Sequence, residues 1–148
     1  MQHSEVVIVG SGFAGLCMGV RLKQAGIDDF VILEQGREIG GTWRDNRYPG
    51  LTCDVPSHAY TYSFEPYPEW QAYYAAGGEI QTYFEMVAAK YGVLDHFRFN
   101  SEVTGAHYDD ATARWTITLA NGWVLALPEM AAETRLPITV EARKVGGE

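Results

Sequence analysis

Residues 5–34 read EVVIVGSGFAGLCMGVRLKQAGIDDFVILE, and this stretch decides the fold. Glu5 to Val9 is a short β-branched run of the kind that fills a fully buried parallel strand. A glycine-rich turn follows at once. Then comes a segment to about Ala25 whose apolar Leu16, Val20 and Leu22 alternate with the polar Arg21, Lys23 and Gln24. Gly26 is suited to stop a helix. Phe30 to Leu33, FVIL, is a second buried-strand candidate and ends at Glu34. Strand, glycine turn, helix and strand in about thirty residues make one βαβ unit, in which the strands are parallel and the crossover right-handed.

The turn itself, Gly10-Ser11-Gly12-Phe13-Ala14-Gly15, has the GxGxxG pattern. Each glycine has a separate reason. The first makes the tight turn, the second lets a pyrophosphate approach the backbone, and the third permits close helix–strand packing. The helix start then offers free N–H groups and a positive dipole end to phosphates. Glycine-rich loops are common, but Glu34 stands nineteen residues after Gly15 at the end of the second strand, where a carboxylate accepts hydrogen bonds from ribose hydroxyls. An acidic residue there repels a 2′-phosphate, which disfavours NADP at this site and leaves FAD or NAD.

The chain is 148 residues long, enough for one domain with a real core, and carries a net charge of −8. That charge argues against nucleic acid and against an acidic membrane surface as partners. No apolar run reaches transmembrane length, and the N-terminus MQHSEVVIVGSG has no signal-peptide pattern. Cys17 and Cys53 form no metal-like spacing, and no metal site is expected; Cys17 is read as a small hydrophobe on a buried helix face. A reduced, cytoplasmic protein is the expectation.

From Gln35 to Gly77 the periodicity disappears, yet the segment is rich in aromatic residues, which argues that it is packed rather than disordered. Trp70, Tyr73 and Tyr74 are expected to pack this loop down, and Tyr60, Tyr62 and Phe64 to share one face of an extended run. His58, His96, His107 and Trp115 are read as packing or surface residues. Ile80, Phe84, Val87, Ala88 and Tyr91 then mark an amphipathic helix from Gly78 to Gly92. Strand candidates follow at Phe97–Phe99, Glu102–Tyr108, Trp115–Leu119 and, after an Asn121-Gly122 turn, Trp123–Leu127. The last three fit a small antiparallel meander. The fold class is therefore α/β: a Rossmann-like βαβ unit with a parallel sheet, a long aromatic loop, an amphipathic helix and a β-meander. Residues 1–127 are assigned to this domain. Residues 128–148, with a possible strand at Ile138–Val140, are read as a poorly specified tail.

The segment after Glu34 narrows the cofactor. Residues 40–54 read GGTWRDNRYPGLTCD. Glycines directly beyond the second strand would let the chain pass close under a long cofactor, which favours FAD over NAD. Here the chain resembles the N-terminal FAD-binding part of Baeyer–Villiger monooxygenases of the phenylacetone and cyclohexanone type. Their signature is Ala/Gly-Gly-x-Trp, four residues, Phe/Tyr-Pro-Gly/Met, three residues, Asp. Gly40, Gly41, Trp43, Tyr48, Pro49, Gly50 and Asp54 meet it at every fixed position. The resemblance runs to about Gly122.

The resemblance implies an oxidoreductase that uses FAD, with NADPH as co-substrate and dioxygen, to turn ketones into esters or lactones through a flavin peroxide. It implies that Gly10, Ser11, Gly12, Phe13, Ala14 and Gly15 line the FAD pyrophosphate and that Glu34 holds the adenosine ribose. Gly41, Thr42 and Trp43 would lie along the flavin half, with Trp43 covering the cofactor. Tyr60 would contact FAD, and Val103 would meet adenine through its backbone. Thr52 and Cys53 would lie where the nicotinamide approaches. Asp54 is the candidate catalytic residue, because a cation beside the flavin needs a carboxylate to fix it in a dry site. An Asx turn is the alternative reading of Asp54.

Members of that family carry a second GxGxxG for NADPH, a linker motif and a catalytic arginine, and none of these is found in this sequence. The chain is therefore expected to be either a fragment or a chain whose C-terminal end has diverged or been frameshifted, incomplete relative to the family and inactive alone, with a sheet edge open to self-association. A fragment of an N- or S-hydroxylating flavin monooxygenase, or a non-catalytic nucleotide-binding module that needs a partner chain, are the alternatives.

Overall fold

A computed structural model describes residues 3–4, 6–111, 114–126 and 140–144. Strand β1 (His3–Ser4) leads into β2 (Val6–Val9), the glycine turn and helix α1 (Phe13–Gln24). The helix buries Leu16, Gly19, Val20 and Leu22, so the apolar stripe read from the sequence faces the core. Gly26, at φ +77°, leaves the helix in a conformation that a side chain would oppose. The chain returns as β3 (Phe30–Leu33), which pairs in parallel with β2 from Val6–Phe30 to Val9–Leu33.

The irregular segment is packed, as its aromatic content required. It holds one short helix, α2 (Thr42–Asp45), and a 3₁₀ turn at Ser57–Ala59. Helix α3 (Gly77–Lys90) buries Ile80, Phe84, Val87 and Ala88, the expected stripe, and also Tyr83. Tyr83 joins the helix to the loop: its hydroxyl donates to the Glu65 carbonyl and accepts from the Tyr62 N–H. Around it Tyr62 stacks on Phe64, and Tyr67 and Trp70 pack edge to face. Burial pushes the Tyr83 hydroxyl up to about 12, so this joint stays protonated at neutral pH. Tyr73 and Tyr74 do not pack the loop down: they are 62% and 47% exposed. At this point the backbone does the packing, since the Tyr73 carbonyl accepts from both the N–H and the hydroxyl of the buried Ser57. Cys17 is half-buried against the core rather than enclosed in it.

Strand β4 (Phe97–Arg98) adds in parallel to β3, giving a three-stranded sheet in the order β2-β3-β4. His96 precedes it, stacked on Phe30 with Nδ1 at 3.0 Å from the Phe30 carbonyl, a structural role as expected. Strands β5 (Val103–Asp109), β6 (Arg114–Leu119) and β7 (Trp123–Ala126) form the antiparallel meander. The sheet is larger than three strands. A further strand, β8 (Val140–Lys144), pairs with β7, and β1 pairs with β8, in the order β1-β8-β7-β6-β5. Residues 140–144 therefore belong to a sheet, although they fall in the stretch read as a tail. Leu127 and most of the strand expected at Ile138–Val140 lie outside the described residues. The physical reason for β8 is that β7 without it would present a row of unpaired backbone groups.

Candidate functional site

The glycine turn, the end of β3 and the start of α2 converge on one crevice of about 440 Å³. Gly10, Ser11, Gly12, Glu34, Gly41, Thr42 and Val103 line it together with Leu33, Arg44, Asp45, Asn46 and Glu102. Local rules bring them here. Gly10 N–H donates to the Leu33 carbonyl, so the turn closes across the C-terminal end of the parallel strands. Gly15 lies so near Gly10 that a Cβ on it would fall 1.9 Å from the Gly10 carbonyl oxygen; only glycine lets α1 begin there. Gly41, at φ +54°, brings its own backbone beside Gly12, and a Cβ on Gly41 would stand 3.0 Å from Gly12 Cα. Val103 arrives because the chain beyond β4 is tied to Glu34: Glu34 N–H donates to the Arg98 carbonyl, and Ser101 N–H donates to the Glu34 carbonyl.

The turn is open on its crevice side. A Cβ on Gly10 would meet nothing within 4 Å, and one on Gly12 only Gly41 Cα at 3.9 Å. The first i→i−4 bond of α1 runs from Leu16 N–H to the Gly12 carbonyl, so the amides of the first turn carry the free donors and dipole end that phosphates need. The residues present fit a dinucleotide phosphate.

Glu34 is almost fully buried, and its carboxylate is saturated by the protein. Oε2 accepts from the Ser11 N–H at 2.8 Å and the Ser11 hydroxyl at 2.6 Å. Oε1 accepts from the Gly36 N–H at 2.6 Å and takes an ion pair from Arg44 Nη1 at 2.6 Å. Burial raises its pKa, but the bonds from the Ser11 hydroxyl, the Gly36 and Ser11 amides and Arg44 outweigh it and hold the carboxyl below the usual range. This differs from the sequence expectation of a carboxylate free for ribose hydroxyls.

Arg44 is the residue that sequence reasoning missed. Its guanidinium is 9% exposed; Nε and Nη2 bind both oxygens of Asp45 at 2.8 and 3.0 Å, and Nη1 also donates to the Glu38 carbonyl at 2.9 Å. Its pKa rises, chiefly through Asp45 and, against burial, through Glu34. Two glycines make room for it: a Cβ on Gly36 would lie 2.3 Å from Nη1, and one on Gly40 would lie 2.8 Å from the Arg44 Cβ. The available signal was an arginine flanked by an aspartate inside a glycine-rich run that begins six residues after a conspicuous glutamate.

The other candidate residues do not line the crevice. Phe13 packs its ring against Tyr60, Tyr62 and Phe84, and Ala14 is exposed on α1. Trp43 is buried in the main core, with its indole N–H donating to the Tyr60 hydroxyl at 3.1 Å, so its side chain packs rather than covers the crevice. Cys53 is buried: its amide donates to the Ala75 carbonyl, and its sulfur accepts from the Val55 N–H. Thr52 bridges to Ala76 beside it, and Asp54 is exposed on the bend that follows. Among the described residues no group of three or more His, Cys, Asp or Glu side chains could hold a metal ion. No described helix is long and apolar enough to cross a membrane.

Comparison with known proteins agrees with this geometry. A family model described as an NAD(P)-binding Rossmann-like domain matches residues 8–76, and one described as NifT/FixU protein matches residues 102–142. A Baeyer–Villiger monooxygenase of Streptomyces coelicolor is 47% identical over 125 residues, covering 84% of this chain and 24% of that enzyme. One from Pseudomonas aeruginosa is 43% identical over 121 residues, covering 82% of this chain and 23% of that enzyme. Among solved structures, closed cyclohexanone monooxygenase superposes with a TM-score of 0.74 at 35% identity, covering 80% of this chain and 23% of the other. OTEMO in complex with FAD and NADP superposes with a TM-score of 0.76 at 35% identity, covering 83% of this chain and 24% of the other. The chain thus spans about a quarter of the length of the curated relatives it matches, and the similarity lies in their N-terminal part.

Proposed function

We propose that this chain, which over 84% of its length is similar to the N-terminal part of a Baeyer–Villiger monooxygenase, is an FAD-binding segment of an enzyme of that kind. The enzyme would be a flavoprotein that uses NADPH and dioxygen to oxygenate a ketone to an ester or lactone. One observation carries the reading: a single crevice joins an open glycine turn, a charged carboxylate at the end of β3, the Gly41–Thr42 start of α2 and Val103. An FAD-binding βαβ unit needs donors for a pyrophosphate, an acceptor for a ribose and a way onward to the flavin, in that order.

Within this reading the amides at the α1 N-terminus, from Gly12 onward, bind the pyrophosphate, while Gly10 and Ser11, whose N–H groups are held by Leu33 and Glu34, shape the turn around it. Glu34 recognises the ribose, and the Val103 backbone meets the adenine. Gly41 and Thr42 guide the flavin half. FAD, when bound, supplies the redox chemistry. Trp43 acts through the core: with Tyr60 it fixes the base of α2, which sets where Gly41 and Thr42 stand. Asp54, exposed beside Thr52 and Cys53, is assigned the task of holding a cation near the reacting ring, with the nicotinamide of NADPH approaching the same bend.

The test is a titration of the chain with FAD and, separately, with NAD, followed by flavin fluorescence and tryptophan quenching. FAD should bind more tightly than NAD. Replacing Glu34 by Ala should weaken FAD by about tenfold, the loss expected for hydrogen bonds to a charged group. Preference for NAD, or FAD affinity indifferent to Glu34→Ala, would overturn the reading.

A further inference from the structure

The carboxylate assigned to the ribose is already full. A carboxylate has about four acceptor positions, and those of Glu34 are met by the Ser11 amide, the Ser11 hydroxyl, the Gly36 amide and Arg44 Nη1. A ribose hydroxyl can bond Glu34 only by displacing one of these. The two amides are fixed by the turn and by the Glu34–Gly36 bend. The Ser11 hydroxyl is fully buried on its side of the carboxylate.

Arg44 differs from all three. Its other contacts survive a loss of Glu34: Nε and Nη2 remain on Asp45, and Nη1 remains on the Glu38 carbonyl. Glu38 is itself held, because Arg47 Nη2 binds its carboxylate at 2.8 Å. Arg47 also donates from Nε to the Arg44 carbonyl, so the Arg44 backbone stays in place whatever its side chain does. Arg44 and Asp45 both border the crevice. A small shift of the guanidinium towards Asp45 would expose Glu34 Oε1 while Arg44 keeps Asp45 as its counter-charge; Glu34 would then rest on its Ser11 and Gly36 donors and on the incoming hydroxyl.

We propose that Arg44 is a placeholder for the ribose: it occupies the Glu34 Oε1 position that a ribose hydroxyl takes, keeps the carboxylate charged and aimed, and yields to Asp45 when the nucleotide binds. The inference rests on the crevice being a dinucleotide site and adds what sets its selectivity. Glu34 is the recogniser and Arg44 the positioning residue. Asp45 tunes how readily the exchange occurs. Because each hydroxyl bond is gained at the expense of an Arg44 contact, the preference for a ribose diol is weaker than the buried carboxylate alone would give.

The measurement is the ratio of affinities for ADP and 2′,3′-dideoxy-ADP, read by nuclear magnetic resonance titration of the whole chain, which follows binding even at millimolar affinity. Arg44→Met keeps the stem and removes the competitor, so the ratio should rise by about tenfold, one charged hydrogen bond's worth. Asp45→Asn removes the acceptor that Arg44 retreats to. It should therefore lower the ratio, by about threefold, as Arg44 holds Glu34 more firmly. Asp45 is half-exposed, so that variant decides the matter even if Arg44→Met does not fold. A purely structural Arg44 would weaken both nucleotides equally. An unchanged ratio in both variants, or a fall in Arg44→Met, overturns the inference and leaves the dinucleotide site standing. Failure of the unaltered chain to bind either nucleotide, or FAD, overturns both.

Discussion

Strand β3 is buried on both sides, and its two faces are covered in different ways. Phe30 and Ile32 point into a large core closed by α1 and α3, with Leu16, Val20, Ile80, Phe84 and Val87 around them. Val31 and Leu33 point the other way, into a small cluster completed by Ile117 and Leu119 of the antiparallel sheet. The first face is built from neighbours in sequence and from one amphipathic helix. The second depends on β6, more than eighty residues further along the chain. Local pattern therefore specifies one face, and long-range pairing specifies the other. The crevice sits at the C-terminal end of the strand where the two meet.

The largest expected effect tests whether the helix-covered face needs the glycine turn. Gly15→Ala would place a methyl 1.9 Å from the Gly10 carbonyl oxygen, a backbone atom that cannot swing aside. Relief requires moving α1 off β2, which would disturb Leu16 and Val20 together. A loss of at least about 4 kcal/mol is expected, at the diagnostic end of single substitutions, measured by urea unfolding. A loss below about 1 kcal/mol would show that α1 can shift freely, and the contrast between the faces would weaken.

The next test acts on adjacent residues of the same strand. Ile32 is fully buried among the helices, and its Cδ1 lies 2.9 Å from where a Cβ on Gly19 would stand. Leu33 is 3% exposed in the four-residue cluster. Truncating a buried Leu or Ile to Ala costs about 2–5 kcal/mol, depending on how far the site can collapse. Ile32→Ala should lie near the upper end, about 4 kcal/mol, because the surroundings are rigid. Leu33→Ala should lie near the lower end, about 2 kcal/mol, because the sheet above it can settle. Equal values in urea unfolding would break the comparison.

The same division explains what was legible in the sequence. The βαβ unit, the glycine turn and the stripe of α3 could be read because each follows from spacing over a few residues. The place of Glu34 at the end of the second strand was legible for the same reason. Its partner Arg44 was not, because their contact depends on the turn at Gly40 and Gly41, with φ +140° and +54°, which no periodicity encodes. Those glycines were assigned to the cofactor, and the structure shows that Gly36 and Gly40 also make room for Arg44. Tyr83 escaped because it stands between the positions counted in the apolar stripe, at i+3 from Ile80, although its hydroxyl has two backbone partners. Strand β8, VEARK, has a polar composition that no buried-strand pattern would find. Its place comes from pairing with β7.

The smallest expected effect lies at the end of β3, where the apolar faces give way to charge. Glu34→Gln keeps the shape and one acceptor oxygen, which can serve Ser11 or Gly36 but not both, and removes the charge that Arg44 answers. Arg44 retains Asp45, so the loss at neutral pH should be about 1–3 kcal/mol, the range for a weakened buried polar partner. The pH dependence separates this from a packing defect. The carboxyl is held below its ordinary value of 4.5 in the folded chain. Its contribution is therefore complete above pH 4.5 and disappears as pH falls through the lower, folded value. The unaltered chain should thus lose stability to acid over that window, and Glu34→Gln should lose less, so that the two curves converge as the carboxyl becomes protonated. Parallel curves would mean that the variant acts through packing alone, and the end of β3 would then belong with its apolar faces rather than with the crevice.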